Sequence, residues 1–191
     1  MVGVSFIVNP LQLHIVIGEY DLSFTLNGLP ADIQNYTEHA HIVDQLPDNR
    51  AFDVDNVCVL TVAKGEDWPF LVIRRYCEHF NPGVLFIPET HLLLVGAGSH
   101  LSAYRLDKPR KLWHETLAEN GEFIKWLRSG EFVLMTADYE LAAWDIYGWK
   151  KWSVNVESPW NYHIRKGMIQ LEATGSQSTF PLDIGPLEFE E

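Results

Sequence analysis

The sequence predicts an all-β protein built from about four antiparallel sheets of similar size, folded as a single domain over residues 1–191. Apolar and polar residues alternate with a period of two through most of the chain, which is the pattern of half-buried strands. Aromatic residues make up 13% of the sequence, and large rings favour strands. One strand pattern also recurs at an interval of about 40 residues, which indicates a repeat architecture.

The first strands are predicted as a hairpin. Apolar residues alternate over residues 11–17, a turn begins at Gly18, and the alternation resumes over residues 22–26. Residues 29–56 are polar and contain Pro30 and Pro47, so this region is predicted to hold a short helix or long loops.

From Asn56 onward the strand and turn patterns become regular. They predict four repeats, of which the last is shorter, at about residues 56–83, 84–122, 123–160 and 161–187. An alignment of the two clearest copies has an offset of 40 residues, which becomes 39 after one deletion in a turn. It places Leu101 on Leu141, Ala103 on Ala143, Tyr104 on Trp144, Leu106 on Ile146 and Trp113 on Trp152. A third copy places Asp183 on Asp145 at an offset of 38 residues.

The aligned segments AYRLDKPRKLW (103–113) and AWDIYGWKKW (143–152) resemble repeats of quinoprotein-type and WD40-like β-propellers. The resemblance covers about residues 84–185, and the Gly-His element of WD40 repeats is missing. It implies propeller blades and a tendency to bind proteins, and it implies no catalysis. Because no neighbouring cysteines are present, no quinone cofactor is expected. An open half-propeller that covers its edges by dimerising, and a β-sandwich, are alternatives.

Three tryptophans occur in residues 142–152, AAWDIYGWKKW. The alignment predicts the third strand of a blade at 141–146, a turn at Tyr147-Gly148 and an outer strand that carries Trp152. Large flat rings fill the gap between stacked blades, so these tryptophans are predicted to be core residues. A stacking platform for sugars or bases is the alternative.

The net charge is −12, from 14 basic and 26 acidic residues. Such a chain repels phosphate backbones, so binding to nucleic acid is not expected. A basic protein partner is compatible with this charge. No apolar run is long enough for a membrane span, and the N-terminus lacks the pattern of a signal peptide, so a cytoplasmic protein is expected. Cys58 and Cys77 form no disulfide framework, and pairing between them stays open.

The best candidate metal ligands are His39 and His41 in the segment EHAH, which share one face if they lie on a strand. Candidates for a further ligand are His79, His163, Asp53 and Asp55. The segment GAGSH, residues 96–100, does not fit a nucleophile elbow or a dinucleotide loop. It is predicted to be a turn between the second and third strands of a blade. No other segment has a catalytic motif, so an enzyme has no positive support.

The favoured hypothesis is a non-catalytic, cytoplasmic protein-interaction module without a cofactor, which recruits a partner through its loops or top face. It forms a homodimer if its edges are open. Candidate binding residues are His100, Tyr139, Trp149 and Trp160. One alternative is an acidic immunity or inhibitor protein that blocks a basic toxin enzyme. A second alternative is a metal-dependent hydrolase or lyase that uses His39 and His41.

Overall fold

A computed structural model describes residues 11–45, 57–76, 82–118 and 121–186. The chain divides into two units, Met1–His79 and Phe80–Glu191. The elements described in the first unit are β1 (Leu11–Ile17), β2 (Tyr20–Leu26), α1 (Ile33–His39), β3 (Ile42–Gln45), β4 (Val57–Lys64) and β5 (Leu71–Tyr76). Its strands form one sheet, the first sheet, in the order β1-β2-β4-β5-β3.

Central strand β4 explains the order of the first sheet. The residues of β4 from Val57 to Val62 are all buried. Their backbone N–H and C=O groups are therefore shielded from water and need hydrogen-bond partners on both edges of the strand. Strand β2 pairs with one edge and β5 with the other, both antiparallel. Strand β3 is parallel to β5, and the two strands are joined by a buried ion pair in which Arg75 Nη2 lies 3.0 Å from Asp44 Oδ2.

The repeat pattern predicted a separate sheet for residues 56–83, and this prediction is wrong for the described part of that range. Their two described strands share a sheet with the N-terminal hairpin. The alternation of apolar residues identifies the faces of a strand, but it does not identify the strand that pairs with each edge. The predicted hairpin over β1 and β2 is confirmed, and the polar region after it contains the short helix α1.

The second unit contains three antiparallel meanders. The second sheet comprises β6 (Gly83–Ile87), β7 (Leu92–Ala97), β8 (His100–Arg105) and β9 (Arg110–Thr116). The third sheet comprises β10 (Phe123–Ser129), β11 (Phe132–Ala137), β12 (Glu140–Asp145) and β13 (Lys150–Asn155). The fourth sheet comprises β14 (Asn161–Arg165), β15 (Met168–Ala173) and β16 (Ser176–Pro181).

The predicted third strands at 101–106 and 141–146 correspond to β8 and β12, which hold equivalent positions in successive sheets, as predicted. A repeated backbone hydrogen bond marks the same place in all three sheets. The amide that follows the third strand donates to the turn between the first and second strands, from Leu106 to His91 O, from Ile146 to Glu131 O and from Leu182 to Gly167 O, at 2.9, 3.1 and 2.9 Å. The segment GAGSH contains the turn between β7 and β8, also as predicted.

The third sheet packs against a neighbouring sheet on each face. Val133, Met135 and Trp144 face the second sheet, and Leu134 and Trp152 face the fourth. The core prediction for the tryptophans is therefore confirmed for Trp144 and Trp152, which are 0% and 8% exposed. It is wrong for Trp149, which is 73% exposed because it lies in the turn between β12 and β13.

The fourth sheet ends the stack. Its buried side chains face the third sheet, whereas the cross-strand neighbours His163, Gln170 and Thr179 are exposed on its other face. A polar outer face is typical of the terminal unit of a repeat stack. Among the described residues, β16 pairs only with β15, and no described strand covers its other edge.

The fold class is all-β and β-propeller-like, because blade-sized antiparallel sheets pack face to face in chain order. No helix in the described ranges is long and apolar enough to cross a membrane.

Candidate functional site

One end of the third sheet carries a cavity. This connection end lies where β11 ends and β12 begins. It is formed by the connections from β9 to β10 (residues 117–118 and 121–122), from β11 to β12 (138–139) and from β13 to β14 (156–160). Two backbone hydrogen bonds hold it together, from Val156 N to Tyr139 O at 2.9 Å and from Asp138 N to Glu122 O at 3.1 Å. The turn between β11 and β12 is thereby fixed to the connections on either side of it.

The cavity has a volume of about 570 Å³. Its apolar lining residues include Leu117, Ala137 and Val156, and its polar lining residues are Tyr139, Glu140, Asn155, Glu157 and Ser158. Among its described lining residues none is Lys, Arg, His or Cys. The Glu140 carboxylate is bound by Lys150 Nζ at 3.5 Å. Glu157 is the other carboxylate of the described lining, and a carboxylate beside apolar and aromatic groups attracts cationic groups.

Tyr139 is the aromatic residue of this cavity, and its side chain is 44% exposed. Trp160 contacts the turn between β11 and β12, because its Nε1 donates a hydrogen bond of 2.8 Å to Asp138 O. Its ring also stacks on Tyr162 at a centroid distance of 6.1 Å. Trp160 is half-buried, so it supports the turn that presents Tyr139.

The other two candidate binding residues lie elsewhere. His100 begins β8 in the second sheet, where its Nδ1 lies 3.3 Å from His114 Nε2. Trp149 lies at the opposite end of the third sheet, in a turn whose backbone amides are bound by Asp145 Oδ1. The structure thus brings together Tyr139 and Trp160 from the predicted set of four.

The candidate metal ligands His39 and His41 are both exposed in the first unit. His39 ends helix α1 and His41 follows that helix, so the two do not alternate along a strand. No group of three or more His, Cys, Asp or Glu side chains that could hold a metal ion occurs in the described part of the chain. His163 belongs to the second unit.

Several predicted residues lie outside the described ranges. They are Asp53, Asp55, Cys77 and His79. Cys58 is buried in β4.

Sequence reasoning missed Glu140, Asn155, Glu157 and Ser158. The repeat alignment carried a partial signal, because it places the turn at Ser99 over the turn at Tyr139, 40 residues later. A cavity made by three connections depends on their three-dimensional course, which has no periodic pattern in the sequence.

No family model and no curated protein matches the chain. Similar solved structures include Kluyveromyces lactis Hsv2, with 11% identity over 52% of this chain and 32% of that chain and a TM-score of 0.29. A form of this Hsv2 with loop 6CD replaced by a Gly-Ser linker has 10% identity over 52% of this chain and 34% of that chain, with a TM-score of 0.29. The AfRom2 CNH domain has 11% identity over 89% of this chain and 67% of that chain, with a TM-score of 0.35.

The matched part thus spans about a third of the length of the Hsv2 chains. TM-scores this low carry no argument about function, and the fold class rests on the sheets themselves.

Proposed function

We propose that this chain is a non-catalytic, cytoplasmic protein-interaction module that binds a basic segment of a protein partner at the connection end of its third sheet. The observation that carries the proposal is the exposed Tyr139, which lines the same cavity as the Glu157 carboxylate. Exposed aromatic residues are frequent anchors of interfaces, and complementary charge steers the partner toward them.

The test is a pull-down of tagged protein from native lysate, read by mass spectrometry at low and moderate salt. We expect a stoichiometric basic partner that dissociates as salt rises. Tyr139→Ala and Glu157→Gln should reduce its recovery at least tenfold. Matched controls at the opposite end of the third sheet, Tyr147→Ala and Glu131→Gln, should retain it. A partner that the control variants lose and Tyr139→Ala keeps would move the interface to the other end.

A narrower role is an inhibitor or immunity protein that blocks a basic toxin enzyme. The net charge of −12 favours it, because acidic inhibitors are steered onto basic enzymes. If the captured partner is an enzyme, stoichiometric loss of its activity on mixing supports this role. Unchanged activity in the complex leaves a recruitment role.

A homodimer belongs to the same proposal. The open edge of β16 has the sequence SQSTFP, without a lysine and with proline only at its end. Lysine and proline are common means of blocking edge pairing, so the edges of two copies are free to pair antiparallel about a two-fold axis. The hydrolase or lyase hypothesis at His39 and His41 stays a prediction. A metal assay on purified protein tests this hypothesis, and less than a tenth of an equivalent of bound Zn, Mn or Ca would contradict it.

A further inference from the structure

The first unit has a cavity of its own, with a volume of about 360 Å³. It lies between the first sheet, helix α1 and the turn that joins β4 to β5. Two aromatic residues line it, Tyr36 from α1 and Trp68 from the turn. It shares no residue with the cavity at the connection end.

The two rings form a corner. Their centroids are 6.0 Å apart and their planes meet at 60°, so each ring presents a different direction to the space between them. Trp68 is 50% exposed, so half of its side chain is accessible to a ligand.

His39 holds Trp68 from outside the cavity. Its ring stacks on the indole at a centroid distance of 5.0 Å and an interplanar angle of 16°, yet His39 does not line the cavity. The imidazole is itself fixed, because its Nδ1 is hydrogen-bonded to Asn35 O at 2.8 Å. The corner is therefore partly preorganised before any ligand arrives.

The charge around the corner is negative. Three carboxylates line the cavity, those of Asp21, Glu66 and Asp67. The one basic group among its described lining residues is His14, whose Nε2 lies 3.4 Å from Asp21 Oδ1. Lys64 lies next to this turn in the chain, but its ammonium group is bound to Glu19 at 2.9 Å.

We propose that this aromatic corner binds a weakly hydrated organic cation of the quaternary-ammonium class, such as a trimethylated lysine side chain. A cation over an aromatic face is attracted by the ring quadrupole, and quaternary ammonium groups lose little hydration when they move there. The carboxylates add attraction over a longer range. The site lies in a different unit from the proposed partner cavity, and its ligand is tested separately.

The experiment is a calorimetric titration of the full chain with four probes. They are an N-acetyl trimethyllysine amide, choline, the unmodified lysine amide and 3,3-dimethylbutanol, which is the neutral isostere of choline. We expect saturable binding of the two quaternary cations and at least tenfold weaker binding of the neutral isostere. Tighter binding of trimethyllysine identifies a peptide side chain as the source of the cation, and tighter binding of choline identifies a free small molecule.

Two variants locate the site. Trp68→Ala should weaken binding of the quaternary cations at least tenfold, and Asp67→Asn should weaken it by a smaller factor while leaving the fold intact by circular dichroism. Trp149→Ala removes an indole of the second unit that is 73% exposed, against 50% for Trp68, and should leave the binding unchanged. Equal affinity for the neutral isostere, equal binding by both tryptophan variants, or no saturable binding of any probe would overturn the proposal.

Discussion

Two tryptophans at equivalent repeat positions each bind one sheet to the next through a single hydrogen bond. Trp113 Nε1 donates to Gly148 O and Trp152 Nε1 donates to Leu182 O, both at 2.7 Å. The acceptors lie in the turn between β12 and β13 and in the segment after β16. An indole at this position fills the space between sheets and also satisfies a main-chain carbonyl of the neighbour.

Replacing either indole by phenylalanine tests this role. Trp113→Phe and Trp152→Phe should each lower the free energy of unfolding by about 1–3 kcal/mol, because a carbonyl group loses its donor and some packing is lost. Trp149→Phe is the matched control, and its effect should stay within about 0.5 kcal/mol because the side chain is exposed. Urea unfolding measures all three. Equal effects at all three positions would contradict the inter-sheet role.

Residue by residue, the sequence located the buried tryptophans better than the aromatic residues that lie in turns. The period of two and the offset of 40 placed Trp144 and Trp152 on strands, where burial follows. Tyr139 and Trp149 both lie in turns. Nothing in the pattern indicates that one of these turns borders a cavity and the other does not.

At the scale of elements, an ion pair joins β10 to the 3-10 turn Pro88–Thr90 of the second sheet. Arg128 donates two hydrogen bonds to the Glu89 carboxylate, from Nη1 to Oε2 at 3.0 Å and from Nη2 to Oε1 at 2.9 Å. This fork holds the pKa of Glu89 below its ordinary value of 4.5. The same hydrogen bonds raise the pKa of Arg128.

A carboxyl titration by ¹³C NMR should therefore find the midpoint of Glu89 below 4.5. Because the pKa of Glu89 is lowered on folding, the pair contributes fully to stability at pH values above the ordinary pKa of the carboxyl group. This contribution is lost as the pH falls through the lowered pKa of the folded state. Arg128→Gln should return the midpoint toward 4.5. Arg165→Gln, in the fourth sheet, should leave it in place. A midpoint indifferent to Arg128→Gln would show that the fork does not persist in solution.

The elements of the second unit were accessible to sequence reasoning because each sheet pairs strands that follow one another in the chain. The faces of the strands, the positions of the turns and the length of the repeat are then sufficient to derive the order of strands in each sheet. In the first sheet, β3 pairs in parallel with β5 and β2 pairs with β4 across a long connection. Such non-local pairings leave no periodic signal, so this sheet was assigned incorrectly.

For the whole molecule, burial predicts a gradient of local stability. Every residue of β7 is buried, as are all but the first of β11, whereas β1 and most of β16 are exposed at the edges of their sheets. Amides in strands covered on both faces should open only with the unit as a whole, and edge amides should open locally. Hydrogen–deuterium exchange should therefore be slowest in β7 and β11 and fastest in β1 and β16.

The same measurement at a tenfold higher protein concentration tests the homodimer. Slower exchange confined to β16 would support pairing of its open edges. Concentration-independent exchange in β16 would argue against that interface, and protection of β1 equal to that of β11 would contradict the gradient itself.

The polar outer face of the fourth sheet has an evolutionary consequence. A tandem duplication of the third sheet would meet apolar surfaces on both sides, because that sheet already packs against a neighbour on each face. A duplication of the fourth would bury His163, Gln170 and Thr179 against a new neighbour without compensating hydrogen bonds. The array therefore accommodates a second copy of its third sheet better than a second copy of its fourth.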